Sequence, residues 1–455
     1  MKNLKYKYVY FLGIGGIGMS AIARWYKFRG LEVSGYDRTP SQLTGQLQAE
    51  GIDVHFEDDC SRIPADKEHT LVIYTPAIPE SLEEFRFVRD NGYKLVKRSM
   101  ALGEITADQA CAAVAGTHGK TTTSTLIAHI LTDSGEGCSA FLGGISKNYG
   151  TNLLMSRKPT VVAEADEFDR SFLQLRPTIA VITAMDADHL DIYGDLAHVQ
   201  DAFREFAALV KETLILKLGL PVSESDTGAR IYTYHLDDER ADFHATGIKL
   251  LEDGHYSFGL AYPGGVLEDI RPGALGKVNI ENSVAAAAVC LCLGVDGQKV
   301  RRAIGSFKGV QRRLDEHVNI PGGPVYIDDY AHHPAELESA IASIRGMFPG
   351  RRITGVFQPH LYTRTRDFAP GFAKALSGLD KLILLDIYPA REEPIEGVDS
   401  QLIFKDVTAP EKMLCPRSSL METLAGESLD VLVTFGAGDI DRFIGPITEM
   451  LKARQ

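Results

Sequence analysis

Residues 116–123 read GTHGKTTT, a glycine-rich turn followed by a lysine and three hydroxyl side chains. Loop N–H groups of Gly116, Thr117, His118 and Gly119 can wrap a phosphate. Lys120 can reach β- and γ-phosphates, and the hydroxyls of Thr121 and Thr122 open the next helix, with Thr121 suited to hold Mg²⁺. Gly119, Lys120 and Thr121 fit P-loop spacing, while Val114 stands where that pattern has its first glycine. A triphosphate site needs oxygen donors at the ends of neighbouring strands. TVVAEADEFD supplies Glu164 and Asp166, and TAMDADHLD supplies Asp186, Asp188, His189 and Asp191. Carboxylates suit Mg²⁺; a histidine is a less usual ligand for it and could equally be a hydrogen-bonded surface residue.

Another cradle stands earlier in the chain and is the first of the two in sequence order. Gly13, Gly15, Gly16 and Gly18 of GIGGIG follow an apolar run and open an amphipathic stretch, and Asp37 closes the next β-branched run. That context fits a dinucleotide fingerprint, which seats a diphosphate on a helix N-terminus and brings an acid to a ribose. The motif does not specify nicotinamide, and on its own it also allows a tight turn that serves only helix packing. A hydride-transfer enzyme would leave GTHGKTTT and the acids unexplained. A GTP switch would need an Asn-Lys element to read guanine, and the chain has no such dipeptide.

These side chains need strands that end together, and the chain is patterned to provide them. YVYFLG, LEVSGYD and TLVIYTPAIP alternate with amphipathic stretches, then ACAAVAG, TVVAEAD and TIAVITAMD, then PVYIDDY, RRITGVFQPH, DKLILLDIYP and DVLVTFGAGD. Apolar runs ending in polar residues read as buried parallel strands, so the expected class is α/β. At roughly 150 residues per domain, 455 residues suggest three. The expected boundaries give a Rossmann-like domain over 1–106, a P-loop domain over 107–313 and a further Rossmann-like α/β domain over 314–455. Residues 221–275 read as strand and loop, and VAAAAVCLCLGV at 284–295 as a buried helix too short to span a membrane. Trp25, Tyr26 and Phe28 read as packing residues of the helix after the first cradle.

Composition narrows the function classes. Net charge is −13 without a long basic run, which argues against a nucleic-acid partner and against insertion into anionic membranes. The six cysteines show no C-x-x-C pair, which suggests reduced thiols in the cytoplasm. The N-terminal apolar run leads into the glycine fingerprint rather than a cleavage site, and reads as a first strand.

Taken in order, GTHGKTTT, EADEFD, DHLDIYG, GKVNIENSVAAA, GVQRRLDE, DDYAHHP and FQPHLYTRTRD resemble the motifs of the Mur ligase family. These are ATP-dependent amide-forming enzymes of bacterial peptidoglycan synthesis. The resemblance covers essentially the whole chain, and GIGGIGMSA with DDYAHHP is most similar to members that join L-alanine to UDP-N-acetylmuramate. Members that attach a preformed tripeptide are the alternative; Tyr330 would suit the smaller amino acid.

The resemblance implies roles for particular residues. The first domain would hold the UDP-sugar, on Gly13, Gly15, Gly16, Gly18 and Asp37. ATP would meet residues 116–122, Asn279, Asn282, Arg313 and Asp329. Two Mg²⁺ ions would be held through Thr121 and Glu164 and through His189. Lys120, His189, Asp329 and His332 would be catalytic, with His332 as candidate base. Tyr330, His360 and Arg364 would bind the amino acid. The last domain is expected to close over ATP, in a monomer or homodimer. Two positions depart from the family pattern: Val278 replaces a histidine, and Leu361 a common arginine, which makes Arg364 the expected partner of the amino-acid carboxylate.

Overall fold

The computed structural model describes residues 5–107, 109–186, 190–390 and 392–454; the side chains of Asp169, Leu190 and Asp191 are also outside the description. The described residues build three parallel-rich sheets. The first has the order Asp53–His55, Glu32–Tyr36, Tyr8–Leu12, Thr70–Tyr74, Lys94–Lys97, all parallel. Its central strand YVYFL is continuously apolar because helices cover one face and a second core the other. Val9 and Phe11 join one cluster; Tyr10 and Leu12 join another.

The second sheet is centred on Ala110–Ala115, flanked by Ile179–Ile182 and Thr160–Ala165, both parallel to it. Small residues ACAAVA let the crossover helix Lys120–Asp133 pack closely. The stretch expected as strand and loop is more regular than its Gly, Asp and Pro content suggests. Arg230–His235, Phe243–Leu250, Tyr256–Tyr262 and Gly265–Ile270 extend one side of this sheet in that order. The alanine-rich run forms part of helix Lys277–Cys292, and Val284 to Cys290 are almost wholly buried.

The third sheet runs Asp315–Asn319, Val325–Asp329, Val431–Phe435, Ile353–Phe357, Lys381–Leu385, Glu411–Cys415. Its first edge is antiparallel and the rest parallel. Val325 and Ile327 face one core and Tyr326 the other, as a period of two requires.

The chain separates into two compact units. One holds everything up to Thr246 with 259–270 and 281–307; the other holds 247–258, 271–280 and 308 onward. Within the first unit a polar chain fixes helix Ile17–Phe28 against strand Thr151–Leu154. Asn152, 1% exposed, donates from Nδ2 to Ile17 O at 2.7 Å, and Arg24 reaches both Asn152 and Glu50. Trp25 and Tyr26 of that helix are buried as expected. Phe28 is not: it lies in the last turn, 48% exposed, where the helix leaves the core.

Candidate active site

In each sheet the polar groups gather where parallel strands end and the strand order reverses, the position at which open α/β sheets bind ligands. After Tyr8–Leu12 the chain turns at Gly13, whose φ is +88°, and Gly13 and Ile14 donate their N–H groups to Tyr36 O at 2.8 and 3.0 Å. A Cβ at Gly13 would meet Thr75 Cγ2 at 2.8 Å, so both backbone conformation and space require glycine. Gly16 caps the following helix without a side-chain cap, which leaves N–H groups to meet an anion. Asp37 is turned into this loop. Its Oδ2 accepts from Gly15 N at 2.7 Å, and its Oδ1 accepts from Thr39 N at 3.2 Å.

The second cradle lies between Ala110–Ala115 and helix Lys120–Asp133. Register pairs Ala115 with Ala165 on one side and with Ile182 on the other, so Gly116, Asp166 and Thr183 leave their strands side by side. Gly116 has φ +132°, and a Cβ there would sit 2.1 Å from Thr183 Oγ1. Thr183 in turn donates to Ala115 O and to His118 O, tying the loop to the neighbouring strand. Gly119 caps the helix in the left-handed region, and Asn282 Oδ1 would be 2.8 Å from a Cβ at that position. The turn is thus held by contacts at several points even though Val114 departs from the P-loop pattern.

Lys120 is engaged. Its Nζ donates to Gly116 O at 2.8 Å and to both carboxylate oxygens of Glu167 at 2.9 and 2.8 Å. Glu167 is 1% exposed, and the motif reading passed over it in favour of Glu164 and Asp166. The available signal was an acid directly after Asp166 in EADEFD. Its pairing with Lys120 depends on the adjacency of two strands and cannot be read from spacing.

Thr121 Oγ1 donates to Glu164 Oε1 at 3.1 Å, and Gly143 N donates to Glu164 Oε2 at 3.0 Å. Burial pushes the Glu164 carboxyl above its ordinary value, opposed first by the charge of Lys120. Two adjacent oxygen donors, a hydroxyl and a carboxylate, suit Mg²⁺, which completes its shell with water and phosphate. Among the described residues no cluster of three or more His, Cys, Asp or Glu side chains could hold a metal. Asp186 lies beside the loop, with Oδ2 3.5 Å from both Thr117 Oγ1 and His118 Nε2. Asp188 and His189 lie outside the described residues, as does the side chain of Asp191. Asn282 accepts from Thr123 Oγ1 at 3.3 Å, and Asn279 donates to Leu275 O; both asparagines are buried. Val278, where the family pattern has histidine, is 44% exposed.

In the second unit, Asp329 ends its strand with both carboxylate oxygens occupied. Leu314 N and Ala331 N each donate to it at 2.8 Å. Burial pushes its carboxyl up to about 6, with those N–H groups opposing. Arg312 and Leu314 carry positive φ on either side of Arg313, and the guanidinium carbons of Arg312 and Arg313 lie 5.2 and 5.6 Å from the Tyr330 ring centre. Tyr330, His332, His360 and Arg364 come together. The Tyr330 and His332 rings are 5.0 Å apart, the His332 and His360 rings 6.3 Å, and Arg364 Nη1 is 3.4 Å from His360 Nδ1. His332 Nδ1 is 3.0 Å from Tyr330 O; donation there leaves Nε2 as the unprotonated nitrogen. Burial lowers the His332 pKa. Burial, with Arg364 beside it, lowers His360 to about 4. Tyr388, absent from the sequence reading, stacks on His360 at 5.8 Å, and its carbonyl accepts from Leu361 N. Leu361 holds φ +70° at the start of helix Tyr362–Leu376.

An α/β fold with a P-loop-like turn, a separate glycine fingerprint and a histidine–arginine group defines a nucleotide-using class. Models of three family domains match consecutive segments: the Mur ligase family catalytic domain over residues 8–110, the middle domain over 114–290 and the glutamate ligase domain over 312–438. The chain is 49% identical to UDP-N-acetylmuramate--L-alanine ligase of Porphyromonas gingivalis, covering 98% of this chain and 99% of that one. It is 45% identical to the protein of the same name from Flavobacterium johnsoniae, covering 97% of each. Among solved structures, UDP-N-acetylmuramate-alanine ligase of Thermotoga maritima shares the fold with a TM-score of 0.82 at 24% identity, over 98% of this chain and 99% of that one. The chain belongs to the Mur ligase family, with the family's three-domain α/β architecture.

Proposed function

We propose that the protein is an ATP-dependent ligase that joins L-alanine to the carboxylate of UDP-N-acetylmuramate through an acyl phosphate, yielding ADP and phosphate in peptidoglycan precursor synthesis. The observation that carries the reading is the pairing of Lys120 and Thr121 with strand-end carboxylates, in a chain 49% identical to a ligase of that name. On this reading residues 1–106 hold the sugar nucleotide, 107–313 the ATP and 314–455 the amino acid. Use of ATP and six free cysteines fit the cytoplasm.

A carboxylate resists acylation because its charge repels a nucleophile and oxide is a poor leaving group; phosphorylation removes both obstacles. The glycine loop after Tyr8–Leu12 anchors the uridine diphosphate, so the muramate carboxylate can attack the γ-phosphorus in line. Lys120 leaves Glu167 to take up charge on the transferring oxygens, while loop N–H groups hold the phosphates still. Thr121 and Glu164 would hold Mg²⁺, which when bound neutralises phosphate charge. Arg364 receives the alanine carboxylate with His360 beside it, neutral at pH 7. His332, with Nε2 unprotonated, accepts the ammonium proton and frees the amine to attack the acyl phosphate. Tyr330 closes the side-chain end of this group and favours a small amino acid.

Phosphate release with UDP-N-acetylmuramate and ATP, compared between L-alanine and the tripeptide L-Ala-γ-D-Glu-meso-diaminopimelate, tests the proposal. Release with alanine alone is expected. Release with the tripeptide alone would assign the recycling activity instead.

A further inference from the structure

Arg98 opens helix Arg98–Ala107 in the first unit, and no function above uses it. Its guanidinium lies against the first glycine cradle. A Cβ built at Gly18 would stand 3.0 Å from Arg98 Nη1 and 3.3 Å from Arg98 Cδ, so glycine at this position makes room for the cation. The same guanidinium faces the second cradle. Arg98 Nη2 is 4.0 Å from Asp166 Oδ2, and Arg98, Glu164, Asp166 and Ser171 line one cleft.

That carboxylate is beyond hydrogen-bond distance, and among the described residues no other acidic side chain pairs with Arg98. The group is a quarter exposed, with five N–H donors arranged to match two oxygens of a phosphate. Two other arginines of the unit show the contrast: Arg24 is bound bidentately to Glu50, and Arg170 to Glu205. A cation at the helix turn that seats a diphosphate, facing but not bonded to an acid, is placed for an anionic ligand.

We infer that Arg98 binds the diphosphate of the sugar nucleotide, on the phosphate farther from uridine, and thereby aims the sugar toward the acids of the second cradle. The inference rests on the sugar-nucleotide reading above. Asp166 has a secondary part: at 4.0 Å it is a loose ion pair that orients the guanidinium without occupying its N–H donors. Arg98 is a binding and positioning residue and takes no part in proton transfer.

The test is calorimetric binding of UMP, UDP and UDP-N-acetylmuramate to the wild-type chain and to Arg98→Ala and Arg98→Lys, with steady-state kinetics in parallel. Loss of a charge-assisted contact predicts that Arg98→Ala weakens UDP and UDP-N-acetylmuramate about 10- to 100-fold while UMP binding is unchanged. KM for the sugar nucleotide should rise, KM for ATP should hold, and Arg98→Lys should recover part of the loss. UDP affinity unchanged while UDP-N-acetylmuramate weakens would move the contact to the sugar's carboxylate and overturn the diphosphate assignment. Unchanged affinity for all three in a folded variant would overturn the inference and leave the proposed function standing. Failure of the wild-type chain to bind any of the three would refute the functional reading itself.

Discussion

Replacing Gly143 with alanine isolates the geometry of the acid beside the triphosphate cradle. Gly143 has no positive φ to preserve, so the effect is steric: a Cβ there would lie 2.3 Å from Glu164 Oε2 and 2.7 Å from Glu164 Cδ. Contact must lengthen by roughly 1 Å, and the carboxylate is the mobile partner because Gly143 belongs to strand Ser139–Ser146. Moving it lengthens the 3.0 Å bond from Gly143 N and carries Oε1 away from Thr121 Oγ1, now at 3.1 Å. A misplacement of about 1 Å at a catalytic group can cost about 100-fold in rate. Alanine-dependent phosphate release, titrated with Mg²⁺, should therefore show a kcat lower by about that factor and half-saturation at a higher Mg²⁺ concentration. Gly45→Ala is the control. No atom lies within 4 Å of its added carbon, it sits in helix Gln42–Ala49, and it should gain about 0.5–1 kcal/mol of stability. Wild-type kcat and Mg²⁺ dependence in Gly143→Ala would refute the assignment of Glu164 as the carboxylate that faces the metal.

Three further outcomes are expected. Lys120→Ala should abolish phosphate release and, by removing the cation from which both Glu167 carboxylate oxygens accept, lower unfolding free energy by up to about 3 kcal/mol. Adding Glu167→Gln should restore much of that stability in urea titrations without restoring activity. Asp329, pushed up to about 6 from the ordinary 3.8, binds its proton more tightly folded than unfolded. Its contribution is fully present below pH 4 and lost as pH rises toward 6, by about 3 kcal/mol at most. Urea titrations from pH 4 to 7 should show this slope flattened in Asp329→Asn, whatever that variant's overall stability. His360, lowered to about 4, should give an NMR titration midpoint well below that of a free histidine, and Arg364→Gln should raise it by removing one of the two leading causes.

The sequence is most informative where backbone geometry restricts the residue. Gly13, Gly116 and Gly119 are readable because positive φ or a neighbour within 3 Å excludes other side chains, and apolar runs disclose the parallel strands because both faces are covered. Groups brought together by strand order leave no such mark. Glu167 meets Lys120 across 47 residues, and Arg98 meets Gly18 across 80, through sheet adjacency that spacing does not encode. The acceptance by Asp37 from Gly15 N, across 22 residues, is another contact that strand adjacency makes and spacing does not show. Phe28 shows the converse error: an aromatic residue at helical spacing counts as core only while the helix still lies on it.

The ion pair at Lys120 also bears on how this cradle could be blocked. A compound that offers a single carboxylate to the lysine exchanges one anion for another and must first take the lysine from Glu167, which is itself only 1% exposed. Such a compound gains little for its charge. A triphosphate brings several negative oxygens and its own cation, enough to outcompete the resident acid. Selective antagonists should therefore leave the pair intact and draw affinity from the neighbouring cleft, where Arg98 still offers an open donor.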